Sequence, residues 1–167
     1  MRRIVLFRHG LAEEAEGGMS DMARALTEKG RRKTEKAARG LSAMLGSVDL
    51  LASSPLLRAV QTADILDEHL HAGRRQETRL LESAADPGAL LEWLQTEADV
   101  EMAVLVGHEP HLGRTAALAL TGEARGFLVF RKAGACLLEF NDEIAPGAAS
   151  MRWFMAPSQL VRSRAAY

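Results

Sequence analysis

Three short apolar runs set the pattern of this chain: Arg3 to Phe7, Val48 to Ala52 and Met102 to Val106. Each is followed by turn residues and then, directly or after a loop, by apolar residues at helical spacing. Alternation of this kind predicts an α/β sandwich, because each strand must return across a helix before the next can join the same sheet. Two further strand-like runs, Phe127 to Phe130 and Ala135 to Phe140, follow the third. The helices carry their own punctuation. Ser54 is suited to cap a helix with Pro55 at its first position, and Ala59, Ala63, Leu66 and Leu70 then mark a core face. Pro110 opens another helix, with Ala116, Ala117 and Leu120 inward and Gly122 as its stop. Thr27 precedes a helix whose apolar stripe is Ala37, Ala38, Leu41, Met44 and Leu45, with Gly46 after it and the basic run Lys29 to Lys36 facing outward. A fourth helix runs from about Asp86 to Thr96, with Leu90, Leu91 and Leu94 inward and Trp93 beside them. Leu11 to Ala25, which contains Gly17 and Gly18, is long for a strand-to-helix connection, and such loops often line a site.

At 167 residues, with no repeat, low-complexity tract or linker, the expected organisation is one domain over 1–167. An apolar share of 47% against 26% charged excludes a disordered composition. Lys and Arg number 21 and Asp and Glu 22, so the net charge of -1 gives no global attraction to nucleic acid or an acidic membrane. Any anion binding must come from local clustering. No run approaches the roughly 18 apolar residues of a membrane span, and the opening segment has too few for a signal peptide. Together with a single Cys136, which cannot form an internal disulfide, this points to the cytoplasm.

The chemistry-bearing residues stand at the ends of the first three strands: Arg8-His9-Gly10, then Ser53-Ser54-Pro55 with Arg58, then Gly107-His108-Glu109-Pro110. In open α/β sheets ligands bind at the carboxyl ends of strands, where helix N-termini point N–H groups at anions. Arg58 lies about one turn into its helix, and helical side chains lean toward the N-terminus, so its guanidinium reaches back to the same rim. Two arginines and two histidines converge there in a pocket of phosphate size. Arginine forks match phosphoryl oxygens, whereas a neutral histidine offers a nitrogen lone pair. His9 is therefore the candidate nucleophile, with Arg8, Arg58 and His108 stabilising the transferring oxygens.

The segments Leu-Phe-Arg-His-Gly, Ser-Ser-Pro-Leu-Leu-Arg-Ala-Val-Gln-Thr-Ala and Val-Gly-His-Glu-Pro, in this order and spacing, resemble the histidine phosphatase superfamily. Within it the chain is most similar to the short SixA-type phosphohistidine phosphatases, since it lacks the insertions of phosphoglycerate mutases and carries Arg24-Ala25-Leu26-Thr27-Glu28-Lys29-Gly30 in place of that branch's Arg-Pro-Leu-Thr segment. The resemblance covers nearly the whole chain. It implies a three-layer α/β/α sandwich with a mostly parallel central sheet, phosphoglycerate mutase-like. It also implies His9 as the phosphorylated residue, Arg8, Arg58 and His108 around the phosphate, and Arg24 as a substrate-side contact. Ala25 departs from the usual Pro. Glu82, in Leu80-Leu81-Glu82-Ser83, is the position that best matches the proton-donating Glu of related enzymes, although its neighbours do not match the mutase motif.

Plainer readings exist for each residue. Arg8 and Arg58 alone would be surface ion-pair partners, His108 a helix cap, Arg24 a solvated loop residue, and Glu82 a solvent-facing carboxylate. Ser53 is suited to bond phosphate or to end a strand. His69 and His71 read as a solvated helix end, and His108 with His111 lacks a third zinc ligand, so neither metal nor cofactor is expected. Cys136 has Asp142, not Arg, six residues on, which fits a buried strand thiol and excludes a cysteine phosphatase loop. The expected substrate is phosphohistidine on a protein such as a histidine phosphotransfer domain. The alternatives are a small phosphoester, or binding of phosphorylated partners without turnover. Neither a nucleic acid nor a membrane is an expected partner, and the sequence is silent on oligomeric state.

Overall fold

Strands buried on both faces need side chains that are apolar throughout, and the central strands meet that demand. The computed structural model describes residues 1–163. Its strands are β1 (Arg2–Arg8), β2 (Leu50–Ser53), β3 (Arg74–Glu77), β4 (Met102–Gly107), β5 (Ala135–Phe140) and β6 (Ala149–Met155). They form one sheet in the order β3-β2-β4-β1-β5-β6. Pairing is parallel from β3 to β1 and antiparallel for β1–β5 and β5–β6. The helices are α1 (Glu28–Met44), α2 (Leu57–Leu70), α3 (Pro87–Thr96), α4 (His111–Thr121) and α5 (Pro157–Arg162).

Alternation along each strand divides the core in two. Val5 and Phe7 of β1 join Ala37, Ala38 and Leu41 of α1, Ala63 and Leu66 of α2 and Leu160 of α5 on one face. Ile4 and Leu6 join Leu90 and Leu94 of α3 and Leu112 and Ala116 of α4 on the other. The expected three-layer sandwich is thus present. Fully burying a side chain such as Phe7 contributes roughly 1.5–3 kcal/mol, so these two faces outweigh any surface interaction. Trp93 and Trp153 pack, half-buried, against the second and first face respectively. Cys136 is fully buried in β5, where desolvation pushes its thiol up to about 12. No helix among the described residues is long and apolar enough to cross a membrane.

Several local expectations change. Phe127 to Phe130 is not a strand. The run pairs with no strand of the sheet; Phe127 and Val129 are exposed while Phe130 packs edge-on against Phe154. The helix expected from Pro55 begins at Leu57 instead, because Ser54 closes a short turn by accepting from the Leu56 N–H at 3.2 Å. Pro110 likewise stands just before α4 rather than inside it, while Gly122 ends that helix in the left-handed conformation, φ 83°. Thr27 caps α1 by accepting from the Gly30 N–H at 2.9 Å, and Asp86 caps α3. β3, β6 and α5 have no counterpart in the sequence reading.

Candidate active site

The sheet order places the exits of β2, β4 and β1 side by side. Arg8 stands opposite Gly107, and Ser53 opposite Val106, so the three motifs end at one level. A cavity of about 210 Å³ opens there, lined by Arg8, His9, Arg24, Arg58, Ser83, His108, Glu109 and Lys132. Five of the six predicted site residues are in that lining, and Glu82 is not.

His9 is 5% exposed, and its Nδ1 lies 2.7 Å from the Gly10 carbonyl oxygen. A carbonyl only accepts, so Nδ1 carries the hydrogen and Nε2 keeps the lone pair. Burial pushes the His9 pKa down to about 3; the Gly10 bond opposes this, and the charges of His108, Arg58 and Arg8 add to it. His9 is therefore neutral across ordinary pH. Gly10 is held in turn by its N–H, which donates to Thr62 Oγ1 at 3.0 Å. A β-carbon at Gly10 would collide with the Thr34 hydroxyl, which is why this residue has no side chain.

The His108 ring centroid lies 4.9 Å from that of His9. Its Nε2 is 2.8 Å from Ser54 Oγ, and its Nδ1 has no partner among the described residues. Desolvation, then the charge of Arg58, takes its pKa down to about 4. Arg58, in the first turn of α2, is 6% exposed, and its Nη1 and Nη2 donate to the backbone oxygen and Oδ2 of Asp21 at 2.8 and 3.1 Å. Arg8 Nη1 donates to the Phe130 carbonyl at 2.6 Å. Arg24 donates through Nε to the Glu13 carbonyl at 2.7 Å and through Nη1 to Asp21 Oδ1 at 2.9 Å. The site is thus strongly cationic although the chain is near neutral.

Glu82 closes the 3-10 turn Arg79–Leu81, with its carboxylate 3.9 Å from Arg79; its neighbour Ser83 is the one that reaches the cavity. Glu109, Lys132 and Ser83 line the site without having been singled out from sequence. Glu109 follows His108 directly, which is the signal that pointed to it. Desolvation raises its pKa, partly offset by the Gly113 N–H donating to Oε1 at 3.0 Å and by Arg8. Lys132 has no comparable signal; its pKa is lowered by desolvation and by Arg8, Arg24 and Arg58. Ser53 Oγ is buried without a partner among the described residues and stays outside the lining. Among the described residues the group able to bring three ligand atoms within 4.8 Å is Glu35, Glu68 and His69, on α1 and α2 rather than at the strand ends. His69 bonds Glu35 at 2.8 Å, a pairing between helices that sequence spacing does not reveal.

The model of the histidine phosphatase superfamily (branch 1) matches residues 4–101. The chain belongs to the histidine phosphatase superfamily. The match stops short of His108, which the sheet brings to the site. An uncharacterised protein of Picosynechococcus sp. is 35% identical over 134 residues, 78% of this chain and 81% of that protein. Among solved structures, the protein histidine phosphatase SixA complexed with tungstate superposes with a TM-score of 0.81 at 25% identity, covering 95% of this chain and 99% of that one. The putative phosphohistidine phosphatase SixA from Agrobacterium tumefaciens gives 0.76 at 23%, covering 93% and 98%. A phosphoserine phosphatase mutant from Entamoeba histolytica in complex with phosphoserine gives 0.71 at 17%, covering 96% and 100%. The fold is phosphoglycerate mutase-like, of SixA-type size, and the protein is a phosphatase.

Proposed function

We propose that this phosphatase hydrolyses phosphohistidine on a protein, such as a histidine phosphotransfer domain, through a phosphoryl intermediate on His9. The observation that carries this reading is the state of His9: buried, neutral, Nδ1–H fixed on the Gly10 carbonyl, and Nε2 free beside Arg8, Arg58 and His108. The Nε2 lone pair attacks phosphorus while the bond from phosphorus to the substrate nitrogen breaks. The arginines and His108 hold the equatorial oxygens as charge redistributes. Water then attacks the phosphoryl group, the His9–phosphorus bond breaks, and phosphate leaves. A substrate imidazole that arrives protonated departs without needing an acid from the enzyme.

Two features support a protein substrate. The cavity is small and lies at the surface, with Ser83 and Lys132 exposed in its lining. Exposed Met22, Leu57, Phe127 and Val129 lie on the segments that supply Asp21, Arg58 and the Phe130 carbonyl, and exposed apolar residues on the segments that build a charged site suit a protein partner. The SixA complex with tungstate fits as well, since a tetrahedral oxyanion resembles phosphate. A small phosphoester remains the second reading, favoured by Glu109. This carboxyl lines the cavity with a raised pKa, and it is better situated than Glu82 to protonate an ester oxygen. The test is loss of phosphate from a phosphorylated phosphotransfer domain, with a metal chelator present, by wild type and His9→Ala. His9-dependent loss supports the proposal. Cleavage of a simple phosphoester alone transfers it to the second reading, and turnover of neither favours a binding module.

A further inference from the structure

One carboxylate sits where the cavity's arginines meet. Asp21 belongs to the 3-10 turn Asp21–Ala23 at the tip of the loop between β1 and α1, far in sequence from Arg58. Its two oxygens are shared out: Oδ1 accepts from Arg24 at 2.9 Å and Oδ2 from Arg58 at 3.1 Å. A bound phosphoryl group would use the same two guanidinium groups in the same divided way. We propose that Asp21 is a built-in competitor for phosphate, an internal anion that occupies Arg24 and Arg58 in the free protein and drives phosphate out after turnover. The proposal deepens the reading of the cavity as a phosphoryl site and rests on it, although not on the identity of the substrate.

Three further observations bear on it. The bonds from Arg24 and Arg58 hold the Asp21 carboxyl below the usual carboxylate range, so it stays an anion. Its side chain is 63% exposed, and an ion pair in contact with water is weak enough for a phosphoryl dianion to displace. The loop's base is tied independently, by Glu13 N–H to the Ala25 carbonyl at 2.8 Å and Thr27 N–H to the Leu11 carbonyl at 2.9 Å. Gly17 and Gly18, at φ 57° and 82°, turn the chain between base and tip. Asp21 can therefore leave without unravelling the loop or disturbing α1.

A ligand that must displace an internal competitor binds more weakly by the fraction of time the site is free. If Asp21 holds the arginines about nine-tenths of the time, its removal tightens phosphate binding roughly tenfold. Calorimetric titration of the whole protein with inorganic phosphate is the measurement, comparing wild type, Asp21→Asn and Asp21→Ala. The Asp21 backbone carbonyl, which also accepts from Arg58, is retained in both variants. The expected result is about tenfold tighter phosphate in both, a matching fall in KM, and kcat unchanged or lowered by slower product release. Hydrogen exchange gives a readout that needs no mutation: amides of residues 20–24 in the wild type should exchange faster at saturating phosphate. Weaker or unchanged phosphate binding in the variants overturns the proposal and makes Asp21 an organiser of the arginines or a bystander. Slower exchange at residues 20–24 on phosphate addition overturns it as well. Absence of phosphate binding by all three proteins defeats the phosphate-site reading itself and is distinguishable from either.

Discussion

The floor of the cavity and its wall are built on different principles. His9 and His108 rise from β1 and β4, are at most 5% exposed, and are oriented by the Gly10 carbonyl and Ser54. Asp21 and Arg24 hang on the long loop, 63% and 23% exposed, and are held by ion pairs that water weakens. On the proposed mechanism, groups that must meet the phosphoryl group at a fixed angle are carried at strand ends, where packing restrains them. Groups that rearrange as a ligand enters and leaves are carried by a loop, where they can move. Arg58 joins the two, with its backbone in α2 and its guanidinium on Asp21.

That contrast can be broken at graded cost. His9→Ala should lower turnover by on the order of 10⁴-fold or more while phosphate still binds, because the arginines remain. Retained turnover, measured alongside acid-quench trapping of the phosphoenzyme, would remove His9 from the floor's chemistry. Arg58→Ala should cost on the order of 10²–10³-fold in kcat, and Arg58→Lys should restore little, since an ammonium cannot replace the fork.

The burial of the floor, and of His111 at the start of α4, also predicts a pH dependence. His9 is pushed down to about 3, and His108 and His111 to about 4, in each case first by desolvation. All three are neutral when folded, whereas imidazoles in the unfolded chain take up protons near pH 6.5. Stability is therefore complete above about pH 6.5 and falls as pH drops toward 4. At pH 5 the loss is at most about 2 kcal/mol per histidine, and urea unfolding at pH 7 and pH 5 measures it. Equal stability at the two pH values would mean that these rings are less isolated from water than their surroundings imply. The wall should show the smallest effect. Arg24→Ala should raise KM about tenfold or less with kcat nearly unchanged, and a fall in kcat as large as that for Arg58→Ala would erase the distinction.

The sheet's centre was legible because β1, β2 and β4 are buried on both faces and so read as unbroken apolar runs. Its edges were not. β3, Arg-Arg-Gln-Glu, lies at an edge protected by charge, and β6 alternates exposed with half-buried residues. Phe127 to Phe130 misled in the opposite direction, since its side chains suit a strand although the run joins no strand of the sheet. Within the site, residues on strand exits could be read from motif and period. Asp21 and Lys132 could not, because spacing along a chain carries no information about how a loop folds back onto α2. Glu82 shows the same limit from the other side: its position along the chain resembled a donor's, yet its carboxylate lies by Arg79.

The Gly10 backbone bears on how the proposed nucleophile, His9, can vary. Where a carboxylate side chain orients a catalytic histidine, one substitution can remove the orienting group and strand the ring in the wrong tautomer. Here the acceptor belongs to the main chain, and the same residue's N–H is tied through Thr62 Oγ1 to the Arg58 carbonyl. No change of side chain at position 10 deletes that acceptor; it can only be moved, by shifting the backbone against α2. The free Nε2 lone pair of His9 is thus inherited with the strand-to-helix geometry, and drift elsewhere in the rim can retune affinity and substrate while leaving the proposed nucleophile intact.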